Sequence, residues 1–96
     1  MKRSRYLVAY DIRDTKRLRK VHKTVKGFGD TMQYSVFVCD LTSLELATLM
    51  GALLSIIDKR EDRVALVALG DANDRTPFTF LGDSLALPFT GLARVV

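Results

Sequence analysis

The sequence predicts an α+β sandwich in which two helices cover one face of a single sheet. Short runs of β-branched and aromatic residues recur along the chain, and two segments with apolar residues at helical spacing lie between them. Glycines or charged turns separate these segments. With 96 residues, of which 48% are apolar, the chain can form one hydrophobic core and one domain.

The first strand and the first helix are predicted near the start of the chain. Residues 5–12 read Arg-Tyr-Leu-Val-Ala-Tyr-Asp-Ile, which is typical of a short buried strand and places Asp11 at its carboxyl end. Asp14 and Thr15 can cap a helix that continues to about Lys26. The inward stripe of this helix consists of Leu18, Val21, Val25 and then Phe28. The basic residues of the segment fall on the other faces.

The second strand and the second helix follow in the same way. A pair of glycines ends the first helix, and residues 30–40 read as one strand with Met32, Tyr34, Val36 and Val38 on one face. Residues 42–45 (Thr-Ser-Leu-Glu) have the spacing of a capping box, so a second helix should extend to about Ile57. Its core stripe is formed by Leu46, Leu49, Met50, Leu53 and Ile57.

Three further extended segments come after the second helix. Residues 63–69 (Arg-Val-Ala-Leu-Val-Ala-Leu) predict a third strand, and residues 78–82 a short fourth one. Residues 87–96 retain enough β-forming residues to pair with another strand. Read directly, the order is β-α-β-α-β-β with an extended tail, and the order β-α-β-β-α-β would require one more strand.

One apolar sheet face covered by two helices indicates a sandwich of ferredoxin-like type. Strands one and three carry apolar side chains on both faces, so the uncovered face should be buried, and a second copy of the chain is the simplest supplier. We therefore predict a homodimer. Residues 1–82 would form the ferredoxin-like domain, and residues 83–96 a C-terminal extension that pairs with the partner subunit.

Positive charge is concentrated at the start of the chain. Residues 1–26 hold ten lysines and arginines against two aspartates, whereas the other seventy residues hold five basic and nine acidic residues, which leaves a net charge of +4. A first strand and helix this basic would give the domain one positive face, as in proteins that bind phosphate backbones. A solvated helix face is the alternative that composition leaves open.

Cysteine content and hydropathy predict a cytoplasmic protein. Cys39 is the only cysteine, so no internal disulfide can form, and the apolar run after the basic amino terminus is too short for a signal peptide. No stretch approaches the roughly 20 apolar residues that cross a bilayer. We expect no association with membranes.

Three segments resemble the Cas2 family of CRISPR adaptation proteins. They are Tyr-Leu-Val-Ala-Tyr-Asp-Ile at 6–12, Gln-Tyr-Ser-Val-Phe at 33–37 and Arg-Val-Ala-Leu-Val-Ala-Leu-Gly at 63–70. With the basic first helix, the resemblance covers about residues 5–82. It implies a ferredoxin-like homodimer that bridges integrase subunits during spacer acquisition in antiviral defence. In some members it also implies a metal-dependent nuclease that acts on single-stranded RNA or duplex DNA.

Asp11 is the candidate catalytic and metal-binding residue. A carboxylate at the end of an apolar strand must be solvated, capping a turn or holding a cation, and the resemblance favours the cation. Mg²⁺ needs one or two carboxylates and keeps several waters, so we predict a site for Mg²⁺, or Mn²⁺, shared by Asp11 of both subunits. Such a metal could activate water for phosphodiester hydrolysis. Asp14 is better explained as the helix cap.

The candidate nucleic-acid contacts all lie in or beside the first helix. Arg17 and Arg19 match basic positions of the family, and guanidinium groups can bind phosphate in a bidentate way. The further candidates are Arg13, Lys16, Lys20 and Lys23. His22 lies among these bases, but a surface or partly packed histidine explains it better than a general base.

Three functions remain open at this point. The first is a metal-dependent endonuclease with Asp11 in its site, and the second is a non-catalytic adaptor that grips duplex DNA beside the integrase. A toxin ribonuclease of the VapD type, which shares the fold and the early aspartate, is the third. An RNA-recognition module would need an aromatic sequence pattern on its central strands, and the sequence lacks it.

Overall fold

A computed structural model describes residues 2–74 and 78–82, together with the backbone of residues 93–95. The elements are β1 (Ser4–Asp11), α1 (Thr15–Lys26), β2 (Asp30–Gln33), β3 (Val36–Leu41), α2 (Ser43–Ile56), β4 (Arg63–Asp71), β5 (Phe78–Phe80) and β6 (Ala93–Val95). The first four strands form an antiparallel sheet in the order β2-β3-β1-β4. This β-α-β-β-α-β arrangement confirms the predicted ferredoxin-like fold.

The prediction of one strand over residues 30–40 is wrong, because this segment is a hairpin of β2 and β3. The chain turns at Tyr34 and Ser35, and the turn is held by a hydrogen bond from the backbone N–H of Tyr10 to the carbonyl of Ser35 (3.1 Å). No glycine, proline or asparagine marks the turn, and apolar residues alternate across it. The hairpin supplies the additional strand that the direct reading of the sequence lacked.

The hydrophobic core lies between the two helices and one face of the sheet. Val21 and Val25 of α1 and Leu49 of α2 are fully buried, as are Val8 of β1 and Phe37 of β3. Burial of such side chains is the main favourable term in folding, at about 1.5–3 kcal/mol each. The inward stripe predicted for α1 is confirmed.

The second helix is apolar on more than its inward side. Leu49 and Leu53 are buried as predicted, but Met50, also expected in the core, is 44% exposed because it lies at the margin of the stripe. Leu44 and Leu54 are exposed as well. This helix carries no lysine or arginine, so the basic surface belongs to α1.

Both predicted helix starts are confirmed by their hydrogen bonds. The Asp14 carboxylate accepts from the backbone N–H of Arg17 (3.0 Å) at the start of α1. At the start of α2 the Thr42 hydroxyl accepts from the N–H of Glu45 (3.1 Å), and the Glu45 carboxylate accepts from the N–H of Thr42 (2.9 Å). These bonds satisfy donors that an isolated helix end leaves without partners.

The last two strands form a sheet of their own. β5 and β6 pair in parallel within one chain, with Phe78 opposite Ala93 and Phe80 opposite Val95. The predicted fourth strand is therefore shorter than residues 78–82. Residues 83–92 of the predicted extension lie outside the described residues, so its pairing with a partner subunit stays a prediction. Within the described part of the chain, no helix is long and apolar enough to cross a membrane.

A methyl group at Gly29 should destabilise the fold, and one at Gly51 should not. A Cβ at Gly29 would overlap the Cα of Cys39 (2.8 Å) and the carbonyl of Val38, both in β3. Gly29→Ala must therefore shift the hairpin, at a cost of about 1–3 kcal/mol or more. Gly51 lies in exposed α2 with nothing within 4 Å of its Cβ position, so Gly51→Ala should stabilise by about 0.5–1 kcal/mol.

Urea unfolding of the two variants beside the unaltered protein checks this pair. Equal effects at both positions would contradict the tight contact between the end of α1 and β3.

Candidate functional site

Asp11 lies at the end of β1 on the face of the sheet that the helices leave uncovered. β1 alternates, so that Val8 and Tyr10 enter the core while Ala9 and Asp11 point to the open face. Arg63 of β4 stands directly opposite Asp11 in the strand register. The carboxylate of Asp11 is exposed, and among the described residues nothing donates a hydrogen bond to it or pairs with it. It is therefore free to bind a ligand.

An open cleft of about 810 Å³ lies beside Asp11. Its lining consists of Asp11, Arg13, Lys59, Arg60, Glu61, Asp62 and Arg63. Four of these side chains are basic and three are acidic, so the cleft offers cations to a phosphate and one free carboxylate to a metal. Arg13 is the predicted nucleic-acid contact that the fold brings next to Asp11.

Sequence reasoning missed three of these basic residues. Lys59 and Arg60 lie in a segment that reads as a charged turn, and Arg63 reads as the start of a strand. The sequence feature that could have indicated them is the run of five charged residues from 59 to 63. This run lies beside Asp11 because β4 pairs with β1, which brings residue 63 opposite residue 11.

Arg17 does not have the predicted role of a free phosphate contact. Its guanidinium donates to the Asp62 carboxylate (2.7 and 3.2 Å) and to Glu61 (3.1 Å). The side chain of Asp62 has no exposed surface, so this ion pair joins α1 to the turn before β4. Arg17 therefore stabilises the fold, and a carboxylate occupies the position where a phosphate was expected.

Asp62 is bound by more than the guanidinium. The backbone N–H groups of Arg13 (3.0 Å) and Asp58 (2.8 Å) also donate to its carboxylate. The hydrogen bond from Arg17, assisted by these backbone donors, holds the pKa of Asp62 far below its usual value although burial opposes the shift. The same contact raises the pKa of Arg17. Both groups therefore stay charged at neutral pH.

The other predicted contacts on α1 are available to a ligand. Lys16, Arg19, Lys20 and Lys23 are exposed, and no carboxylate pairs with them in residues 2–74 or 78–82. Lys26, in the last turn, is exposed on the same helix. Together with Arg13 these side chains form a continuous basic surface from the cleft along α1, which suits a phosphate backbone.

The open face of the sheet is apolar beyond Asp11. Leu7 and Ala9 of β1, Val36 and Val38 of β3, and Ala65 and Val67 of β4 share this face by their register. Val67 is 48% exposed. At the opposite end of the face, the guanidinium of Arg5 donates to the Asp40 carboxylate (2.8 and 3.1 Å).

A family model matches the part of the chain that holds these elements and the cleft. The model of the CRISPR associated protein Cas2 matches residues 4–76, which hold all six elements from β1 to β4 and every lining residue of the cleft. The chain belongs to the Cas2 family. The resemblance inferred from the three sequence segments is confirmed.

Curated Cas2 relatives share much of the chain. A CRISPR-associated endoribonuclease Cas2 of Rhodospirillum rubrum is 46% identical over 69 residues, which cover 72% of this chain and 68% of that protein. One of Geobacter sulfurreducens is 39% identical over 72 residues, covering 75% and 76%. A CRISPR-associated endonuclease Cas2 of Halalkalibacterium halodurans is 37% identical over 81 residues, covering 79% and 83%.

Solved Cas2 structures have the same fold. Cas2 of Streptococcus pyogenes aligns with a TM-score of 0.65 at 35% identity, covering 69% of this chain and 86% of that one. Another structure described as Cas2 aligns with a TM-score of 0.74 at 25% identity, covering 88% and 92%. The ferredoxin-like assignment thus rests on the Cas2 neighbours as well as on the strand order.

Within the cleft, Asp11 is the one carboxylate that has no partner among the described residues. No group of three or more histidine, cysteine, aspartate or glutamate side chains able to hold a metal occurs in the described residues. An exposed carboxylate without protein partners fits a hard cation such as Mg²⁺, which keeps several of its waters. Asp11 therefore fits one half of a shared site better than a complete site.

The contrast between Arg17 and Arg19 gives a prediction about stability and binding. Arg17→Gln leaves Asp62 buried without its ion-pair partner, and should lower the thermal unfolding midpoint by at least about 5 °C. Arg19→Gln removes an exposed charge, so it should leave the midpoint unchanged and weaken duplex DNA binding about two- to tenfold.

Thermal unfolding and equilibrium binding at fixed salt check both variants. A stable Arg17→Gln protein with impaired binding would show that Arg17 contacts phosphate after all.

The depressed pKa of Asp62 predicts a specific acid sensitivity. A carboxylate whose folded pKa is lowered contributes stability above its unfolded pKa of about 4 and loses that contribution as the pH falls below it. The free energy of unfolding should therefore fall between about pH 4 and pH 2. Asp62→Asn should be less stable at pH 7 and should show a shallower decline on acidification.

Urea unfolding between pH 7 and pH 2 measures the two profiles. Asp74→Asn is the matched control, because the Asp74 carboxylate is exposed and nothing in the described residues pairs with it. A decline in Asp62→Asn as steep as in the unaltered protein would contradict the role of this carboxylate.

Proposed function

We propose that this Cas2 protein is a metal-dependent endonuclease that hydrolyses phosphodiester bonds in RNA or duplex DNA. The observation that carries the proposal is the free carboxylate of Asp11 at the edge of a cleft lined by four basic side chains. Relatives named endoribonuclease in Rhodospirillum rubrum and endonuclease in Halalkalibacterium halodurans support a nuclease activity. We place the protein in the spacer-acquisition step of CRISPR defence, with an integrase subunit as its partner.

The proposed active form is a homodimer formed through the open sheet face. Leu7, Ala9 and Val67 expose apolar surface there, and Asp11 follows Ala9 on the same face. A second copy seated on this face about a twofold axis would bury the apolar side chains. The same axis would bring the two Asp11 carboxylates toward each other, which supplies the second ligand that one chain lacks.

Each part of the site then has a defined role in hydrolysis. Asp11 of both subunits would hold Mg²⁺ or Mn²⁺, which when bound polarises a phosphate and lowers the pKa of water. Arg13, Arg60 and Arg63 bind the phosphates on either side of the scissile bond, since they line the cleft. The basic surface of α1 holds the rest of the backbone and fixes its direction.

A second candidate function is a non-catalytic adaptor that grips duplex DNA beside the integrase. The observation that favours it is that α1 carries several exposed basic residues, whereas in the cleft only Asp11 is a carboxylate without a partner among the described residues. Binding would then need no metal. Asp11 would only provide a solvated end to β1.

A cytoplasmic location forms part of the proposal. Cys39 is a free thiol buried in the core, and burial raises the pKa of this thiol to about 11. A thiol that stays protonated and inaccessible does not form mixed disulfides readily. The nucleic-acid substrates of the proposed activity are also found in that compartment.

The cleavage experiment compares the unaltered protein with Asp11→Asn on labelled single-stranded RNA and duplex DNA. Each substrate is incubated with Mg²⁺, with Mn²⁺ and with a chelator. We expect metal-dependent cutting that falls more than about 100-fold in Asp11→Asn, because the variant loses a metal ligand from both subunits. Asp74→Asn, which changes another exposed carboxylate, should cut normally.

Binding and mass measurements separate the two functions. The adaptor would be favoured if no protein cuts, the unaltered protein binds duplex DNA, and Arg19→Glu loses that binding. Sedimentation shows whether the unaltered protein is a dimer; a monomer that cuts normally would contradict the shared site.

A further inference from the structure

Tyr34 presents its aromatic ring to solvent at the turn between β2 and β3. Its side chain is 75% exposed, although tyrosine usually buries most of its ring. One ring face is stacked on the imidazole of His22 in α1, with the centroids 5.8 Å apart and the planes at 24°. Among the described residues, the ring therefore has a stacking partner on one face alone.

The ring is held in place by several contacts of its neighbours. The hydroxyl of Tyr10 lies 2.8 Å from Nδ1 of His22 and donates to the carbonyl of Tyr34 (3.4 Å). Phe37 meets the imidazole edge-on at 5.4 Å. The Ser35 carbonyl is bound to the N–H of Tyr10, which fixes the turn to β1. An exposed aromatic ring is thus preorganised on a support that reaches into the core.

Exposed basic residues lie near His22 on α1, the helix on which the ring is stacked. Arg19 lies three positions before His22 in α1, and Lys26 lies four positions after it, so both are on the helix face that carries the imidazole. Lys23 follows His22 directly and lies next to that face. All three are exposed and free of ion pairs in the described residues. The surface therefore combines a flat aromatic face with several positive charges.

The other exposed apolar side chains of the helices do not have basic residues beside them on the same helix. Leu44 and Leu54 are 68% and 52% exposed, but they lie on α2, which has no lysine or arginine. A purely apolar partner would fit α2, whereas the ring of Tyr34 calls for a partner that is planar and aromatic and carries negative charge beside the aromatic group. A nucleotide has both properties.

We propose that Tyr34, backed by His22, is a stacking platform for an unpaired base of a bound strand. The phosphates of that strand lie along Arg19, Lys23 and Lys26 while the base covers the free face of the ring. Paired bases inside a duplex have no face to offer, so the platform selects a single strand or a frayed duplex end. The inference rests on the proposed nucleic-acid function and adds a base-binding position to it.

The test uses single strands of DNA and of RNA that carry the fluorescent base 2-aminopurine, and a blunt duplex of the same sequence. On binding of the unaltered protein, stacking should quench the 2-aminopurine. Tyr34→Ala should weaken binding of the single strand about 5- to 100-fold and abolish the quenching, because base–aromatic stacking is lost. Tyr34→Phe keeps the ring and should behave like the unaltered protein.

Controls separate stacking from charge and from folding. Tyr34→Ala should leave blunt-duplex affinity and the dependence of binding on salt unchanged, whereas Lys23→Gln should reduce the salt slope by about one. Leu44→Ala, which shortens a comparably exposed side chain on α2, should bind normally. Because Tyr34 is exposed, Tyr34→Ala should lose little beyond the stacking on His22 and should unfold at a temperature close to that of the unaltered protein.

Each other outcome overturns the inference. Equal loss of single-strand and duplex binding in Tyr34→Ala, or binding without quenching in the unaltered protein, would show that no base stacks there. Dissociation of a dimer by Tyr34→Ala would assign the ring to a subunit contact. If the unaltered protein binds duplex DNA but no single strand, the stacking platform is wrong and the proposed function stands. If it binds neither, both the platform and the proposed function are wrong.

Discussion

The buried carboxylate of Asp62 holds together the end of the molecule that carries the candidate site. It accepts hydrogen bonds from the loop after β1, from α1 and from the turn after α2, through Arg13, Arg17 and Asp58. A carboxylate without such partners would be costly to bury, so the three segments must meet for the chain to fold. The cleft beside Asp11 lies where they meet. The shape of the cleft therefore depends on the ion pair between Arg17 and Asp62.

Local signals were sufficient to predict most elements of the fold. Asp14 and the Thr42–Glu45 box mark helix starts by hydrogen bonds that span three residues, so sequence spacing reveals them. The turn at Tyr34 was missed because it depends on a contact with Tyr10, far away in sequence. Apolar alternation continues through that turn, so periodicity suggested one long strand where the chain forms a hairpin.

Site residues were harder to predict because their roles also depend on contacts between residues far apart in sequence. Arg17 and Arg19 are two residues apart and have the same chemistry, yet one points to a buried carboxylate and the other to solvent. A helix turns about 200° over two residues, so such neighbours face nearly opposite environments. Only the position of the partner, Asp62, decides which arginine is structural. The basic residues at 59–63 likewise became recognisable as cleft residues only through the pairing of β4 with β1.

The two aspartates of the cleft differ in their capacity to bind a cation, and this difference is why the proposed metal site is placed at Asp11. A carboxylate has about four positions for hydrogen-bond donors. At Asp62, Oδ1 accepts from Arg13 and Arg17, and Oδ2 accepts from Arg17 and Asp58, so all four are used. A cation there would have to displace donors on which the fold depends. The Asp11 carboxylate accepts no hydrogen bond from the described residues, so a ligand can bind it without displacing a donor of that part of the chain. Asp62 thus stabilises the fold, and the proposed metal binding uses a different carboxylate of the same cleft, that of Asp11.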